Sequence, residues 1–198
     1  MMKNIVLCGI GGQGTVLASK LIAAAAMKKN IPVMSAETIG MAQRGGSVFS
    51  HLRMGEMKAD GSFEAPASPM IAKGSADIII GFEPGETVRM LPYLKEGGQV
   101  ITARHAVMPV TAALGGGNYN GQDMLDYLGK TVKNLTVVDT DKACAELGNT
   151  KVMNVLLLGQ AVKGGALGLD TEDIKEALKE RLKESLWELN FKALEYEA

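Results

Sequence analysis

Cysteine is scarce in this chain of 198 residues: there are two, Cys8 and Cys144, and no C-x-x-C pair. Two cysteines build no disulfide framework, and one chain so composed has too few thiolates for a four-cysteine iron–sulfur cluster. Aromatic residues make up 5%, too few for a base-stacking platform. Net charge is −1, so no global field draws the chain to nucleic acid or to a membrane surface. No run reaches the roughly 18 apolar residues of a membrane span. The N-terminus enters a strand at once, without a basic region or cleavage site, which makes the expected compartment the cytoplasm. His51 and His105 are the only histidines; neither has a metal-spaced partner, and neither cysteine lies beside one in sequence. No G-x-S-x-G elbow occurs. These absences leave no complete set of groups for a reaction.

What is present is ordinary in bulk and unusual at one point. Hydrophobic residues are 46% and charged residues 22%, the composition of a globular protein with a sizeable core, and the length suits one domain over residues 1–198. The unusual point is Asn4 to Thr15, where a short apolar run ends in Gly9, Gly11, Gly12 and Gly14 and an alanine- and leucine-rich segment follows. That pattern reads as a buried strand, a tight turn and a helix N-terminus, where free N–H groups and the helix dipole favour an anion or a polar partner. Gly9, Gly11 and Gly14 satisfy G-x-G-x-x-G, and Glu37, at the end of the next apolar run, stands where a ribose-binding acid would. The same glycines satisfy half of a P-loop, but Thr15 occupies the place of its lysine. A dinucleotide site, or a turn that only packs helix on strand, both fit.

Strands are expected at 31–36, 47–54, 77–82, 99–102 and 135–138, with helices at 15–29, after Pro84, at 123–128, 142–147 and 151–162, and from Asp170 or Thr171 onward. Thr140 or Asp141 is read as the cap of the helix at 142–147. The first strand, helix and second strand read as a β-α-β unit with a parallel pair. Ile174, Leu178, Leu182, Leu186 and Leu189 place one apolar stripe on a single last helix. Alternating strands and helices imply a Rossmann-like three-layer α/β/α sandwich around a largely parallel or mixed sheet. The crevice at the strands' C-terminal ends would then be lined by Gly9–Gly14 and by the loop from Glu37. In that loop Gln43-Arg44-Gly45-Gly46 suggests a guanidinium that clamps a carboxylate or phosphate, a partner chain, or an internal acid such as Glu37.

Together, Gly9-Ile10-Gly11-Gly12-Gln13-Gly14, Glu37 and Arg44-Gly45-Gly46 resemble the gamma-type subunit of the 2-oxoacid:ferredoxin oxidoreductases. The likeness runs on through Gly74-Ser75-Ala76-Asp77, Asn154 with Leu158-Gly159, and Asn190-Phe191-Lys192-Ala193, and so covers nearly the whole chain. Gln13 makes the glycine signature far more specific than G-x-G-x-x-G. Within the family, Gly40-Met41-Ala42-Gln43-Arg44-Gly45-Gly46 looks like the indolepyruvate:ferredoxin oxidoreductase beta subunit, where pyruvate and 2-oxoglutarate enzymes more often carry proline-glutamate before the arginine.

The resemblance implies a domain similar to catalytic domain III of these enzymes. It also implies a complex that oxidatively decarboxylates a 2-oxoacid, here an arylpyruvate, to acyl-CoA and passes electrons to ferredoxin. Thiamine diphosphate, Mg and iron–sulfur clusters would sit on a large partner, with none bound by this chain alone. The small subunit would complete the assembly and help form the CoA or 2-oxoacid side of the site, with no catalytic residue of its own. Two other readings stand beside it: a nicotinamide-dependent oxidoreductase resting on Gly9, Gly11, Gly14 and Glu37, and a purely structural assembly subunit.

Overall fold

A computed structural model describes residues 2–39, 45–109, 113 and 118–197. The first strand, β1 (Lys3–Ile10), is central, and its period-2 alternation feeds two cores. Ile5 and Leu7 face one helical layer while Val6 and Cys8 face the other, all four fully buried. A strand covered on both faces must be apolar throughout, which explains the continuous run Ile5-Val6-Leu7-Cys8. Helix α1 (Thr15–Lys28) lays Ala18, Leu21, Ile22, Ala25 and Ala26 on the first face, and stops at Asn30, which takes a left-handed φ of 58°.

Strands β2 (Val33–Ile39), β3 (Ser47–Met54), β6 (Ala76–Gly81), β7 (Leu94–Ala103) and β8 (Asn134–Val138) complete the main sheet in the order β2-β3-β1-β6-β7-β8. A short hairpin, β4 (Glu56–Met57) with β5 (Phe63–Glu64), stands apart. β1, β6, β7 and β8 are parallel neighbours, whereas β3 pairs antiparallel with both β1 and β2. The expected parallel β1–β2 pair is therefore corrected: the two strands run the same way with β3 between them. Burial explains the order, since β3 hides residues on both faces and suits an interior place, while β2 exposes Met34, Ser35, Glu37 and Thr38 and suits an edge.

Helices α2 (Pro84–Met90) and α3 (Gly121–Thr131) cover the Val6 face, with Met90, Leu125 and Leu128 in that core. Helices α4 (Thr140–Glu146), α5 (Met153–Lys163), α6 (Thr171–Arg181) and α7 (Trp187–Glu195) join α1 on the other, giving three layers. Two local readings are corrected. α4 is capped one residue earlier than expected, by Asp139, whose side chain accepts from Lys142 N at 3.1 Å. The last helix is two helices: Leu182 turns extended (φ −113°, ψ 149°), and its carbonyl accepts from Trp187 Nε1 at 3.0 Å. The break lets α7 fold back on α5 at Gly159, where a Cβ would lie 2.1 Å from the Leu194 carbonyl oxygen. No described helix is long and apolar enough to cross a membrane.

Candidate functional site

The glycine turn sits where β1 leaves the sheet, and three glycines are there for different reasons. Gly12 and Gly14 have φ of 107° and 84°, which side-chain-bearing residues rarely adopt. Gly9 is held by crowding: a Cβ would come within 2.7 Å of both Phe82 Cβ and Gln13 Oε1. Gly14 is crowded as well, since a Cβ there would lie 2.6 Å from Asn154 Nδ2. The second glycine pair joins the first through backbone bonds. Gly11 N donates to Gly46 O at 2.8 Å, and Gly45 N donates to Gly11 O at 3.4 Å. Gly9, Gly11, Gly12, Gln13, Gly14, Gly45, Gly46 and Asn154 thus form one cluster, although they are spread over 145 positions of the chain (counting 9 to 154 as a difference).

Gln13 works inward. Its Oε1 accepts from Ile10 N at 2.7 Å and its Nε2 donates to Phe82 O at 2.9 Å, so the amide ties the turn to the end of β6. Glu37 is not part of the cluster. It is exposed on β2 opposite Ser50, which in turn lies opposite Leu7, so two strand spacings, about 10 Å, separate it from β1. A ribose-binding acid belongs on the strand beside the glycine turn, and the insertion of β3 removes it from that place. Gln43 and Arg44 lie outside the described residues.

At the head of α1 the cap is Gly14, with no side-chain cap bond and no acid in the first turn. Its leading N–H groups therefore have no side-chain acceptor among the described residues, which is the setting for an anion. Thr15 and Val16, the first two residues of the helix, line a hollow with Ile10, Gly11 and Val48. A neighbouring cleft of about 460 Å³ shares Gly12 and Gly14 with it, and its near wall is Gly12, Gln13, Gly14 and Leu17. The far wall comes from three segments that follow strands β7 and β8. His105 and Val107 follow β7; Thr140, Asp141 and Cys144 are on α4; Lys151 stands just before α5, which Met153 and Asn154 open. Asp141 holds His105 through Nδ1 at 2.9 Å. Thr140 is 1% exposed, and its Oγ1 has no hydrogen-bond partner among the described residues. An unpaired buried hydroxyl is costly, and this one belongs to a residue that lines the cleft. Lys151 is exposed at the rim.

Sequence reasoning missed His105, Thr140, Asp141 and Lys151. Their spacing carries no motif, and the one signal available was that His105, Thr140 and Asp141 follow the carboxyl ends of parallel strands; Lys151, beyond α4, had none. The fold also brings Cys144 and His105 to one cleft, which their sequence positions hid. Burial, then the charge of Asp141, pushes the Cys144 thiol up, away from the reactive thiolate. Burial likewise drives up the Cys8 thiol, inside the core. Two protonated thiols, one in each of two separate cores, do not make a cluster-ligating set. His51 is a core residue: Ile71 N donates to its Nδ1 at 3.0 Å, Phe49 and Tyr93 flank the ring, and burial holds its pKa below the usual range.

The structure is a mixed α/β/α sandwich with a glycine turn beside a cleft at the ends of its parallel strands. Residues 4–196 match the family described as pyruvate ferredoxin/flavodoxin oxidoreductase, and the chain belongs to that family. Indolepyruvate oxidoreductase subunit IorB of Archaeoglobus fulgidus is 34% identical over 195 residues, covering 98% of this chain and 92% of that protein. The pyruvate/ketoisovalerate oxidoreductases common subunit gamma of Thermococcus kodakarensis is 27% identical over 196 residues, covering 98% and 94%. The crystal structure of pyruvate oxidoreductase subunit PORC of Thermotoga maritima has the same fold, with a TM-score of 0.69 at 20% identity over 98% of this chain and 93% of that one. The family read from the Gln13 signature is borne out, as is the α/β/α architecture.

Proposed function

We propose that this chain is the small subunit of a cytoplasmic 2-oxoacid:ferredoxin oxidoreductase acting on arylpyruvates of the indolepyruvate type, and that it is inactive without its large partner. The observation that carries this reading is the end-to-end likeness to the IorB subunits, at 34% identity against 27% for the pyruvate/ketoisovalerate gamma subunit. The sequence of the loop Gly40–Gly46 favours the same substrate class. Thiamine diphosphate with Mg, and iron–sulfur clusters, would supply decarboxylation and electron transfer from the large subunit.

The part left to this chain is binding. N–H groups at the head of α1 donate to an anion, the Thr140 hydroxyl gains a partner that it lacks among the described residues, and Lys151 adds a charge at the rim. The phosphates of CoA, or the carboxylate of the 2-oxoacid, supply such an anion. Leu17, Val107 and Met153 give the cleft an apolar flank for the rest of the molecule. Arg44 would add its fork from the neighbouring loop.

The test is anaerobic co-expression with the large subunit, followed by CoA-dependent ferredoxin reduction. Indolepyruvate and phenylpyruvate should outpace pyruvate by roughly tenfold or more, a difference of about 1.4 kcal/mol in transition-state binding. A complex that prefers pyruvate would overturn the substrate assignment. Stable association with no 2-oxoacid oxidation would favour a structural subunit. Micromolar binding of NADH by the chain alone would favour the nicotinamide reading.

A further inference from the structure

We infer that Tyr119 and Glu83 form a brace that positions the two walls of the cleft relative to each other, making both positioning residues for its ligand. The inference rests on the reading of that cleft as a ligand site. Glu83 is 2% exposed, an unusual burial for a carboxylate. Among the described residues its partners are neutral. Oε2 accepts from Glu86 N at 2.9 Å, capping α2, and Oε1 accepts from the Tyr119 hydroxyl. That hydroxyl also accepts from Gly85 N at 3.1 Å, and a Cβ on Gly85 would come within 2.9 Å of it. Burial and the bond to Glu83 push the Tyr119 hydroxyl up, so it stays a donor.

A cap alone needs only serine, asparagine or aspartate. Burying a glutamate costs desolvation, and here the longer side chain gains one thing, a bond to a residue 36 positions away. Both ends of that bond lead to the cleft. Phe82 precedes Glu83; its carbonyl holds Gln13 Nε2, and its N–H donates to Cys8 O at 2.8 Å, so this corner carries the glycine turn. Tyr119 stands two residues before Gly121, which is pressed against Ala106: a Cβ on Gly121 would lie 2.3 Å from Ala106 Cβ. Ala106 lies between His105 and Val107, two of the residues of the opposite wall. The Tyr119–Glu83 bond therefore links the His105–Val107 wall to the corner that fixes the glycine turn, without touching the ligand.

Tyr119→Phe keeps the ring and removes only the bond. Amide hydrogen exchange on the full chain should rise by about tenfold in peptides spanning 9–14 and 104–109, the loss of one charge-assisted bond, while Ile78–Ile80 exchange as before. In the assembled complex the KM for CoA or for the 2-oxoacid should rise by roughly fivefold to tenfold, with kcat within about twofold. Glu83→Gln keeps the side-chain length and an acceptor for Tyr119, so it should open the 104–109 window less than Tyr119→Phe does. Unchanged exchange in both windows overturns the brace. Faster exchange spread evenly over the chain, or a lower melting temperature with an unaltered KM, makes the pair a stability element and overturns it equally. A wild-type complex without 2-oxoacid activity counts against the proposed function, whereas the two exchange windows judge the brace without reference to activity.

Discussion

Asn154 closes over Gly14 so tightly that its Nδ2 occupies space a Cβ would need, 2.6 Å away. The first residue of the α1 cap and the second residue of α5 are in contact across the floor of the cleft. The glycine is required twice over, by this contact and by its φ of 84°. Gly14→Ala should cost about 2–4 kcal/mol, from left-handed strain plus overpacking, and lower the melting temperature by roughly 5–15 °C. Gly12→Ala has the strain without the contact, because nothing lies within 4 Å of its Cβ position, and should cost about half as much. Adding Asn154→Ala to Gly14→Ala should recover part of the loss. Thermal melting of the three variants against the unaltered chain checks all three statements.

Thr140→Val separates binding from folding. The valine keeps the shape and removes a buried hydroxyl that has no partner among the described residues. The lone chain should be unchanged or more stable, by up to about 1–3 kcal/mol. The complex should bind its anionic ligand about fivefold to twentyfold more weakly. Opposite signs in denaturant unfolding and in KM are the expected result. A loss in both would make Thr140 a structural residue.

His51 gives stability a pH dependence. Its folded pKa is lowered by burial, so below about pH 6.5 the unfolded chain binds a proton that the folded chain refuses. Stability at this residue is complete above that pH and falls as pH drops toward the folded value. His51→Phe removes the titration while keeping a ring between Phe49 and Tyr93, although Ile71 N loses its acceptor. The variant should be less stable at pH 8 by about 1–2 kcal/mol, and its disadvantage should shrink as pH is lowered from 7 to 5. Urea titrations across that range measure it.

Arg44 lies outside the described residues, and its role rests on the Gln43-Arg44-Gly45-Gly46 sequence. Its chain neighbours Gly45 and Gly46 are bonded to Gly11, beside the head of α1. Arg44→Lys should leave the melting of the lone subunit unchanged and raise the KM for CoA or the 2-oxoacid about tenfold to a hundredfold. Reconstituted steady-state kinetics test this, and a lower melting point with normal kinetics would make Arg44 an internal clamp.

The glycine turn was legible because its constraints are local: φ at Gly12 and Gly14, and a strand and helix within a few residues of each other. The join of Gly11 to Gly45 and Gly46 was legible only as two glycine-rich loops expected at one sheet end. What was not legible depends on distant contacts. Nothing in residues 1–54 says that β3 enters between β1 and β2, because the apolar pattern of β1 fits either neighbour. The break at Leu182 carries no glycine or proline, and its cause is the fit of α7 against Gly159, more than twenty residues earlier. In sequence an amide that closes a turn and one that reaches a ligand have the same letter; only the bond of Gln13 to Phe82, just past the end of β6, shows that its side chain closes the turn.

The place of β3 also sets an order of events as the chain is made. β1 precedes both of its neighbours, β3, with Lys3 opposite Met54, and β6, with Cys8 opposite Gly81. A nascent chain that has reached residue 45 holds β1, α1 and β2 and has no strand to hydrogen-bond to either edge of β1. Synthesis must reach Gly81 before the central strand has both partners, and each of its pairings closes a loop of dozens of residues, which is entropically slow. A strand that is fully buried in the folded chain thus stays unpaired while those residues are made, and Ile5-Val6-Leu7 is the segment most in need of shelter in that interval.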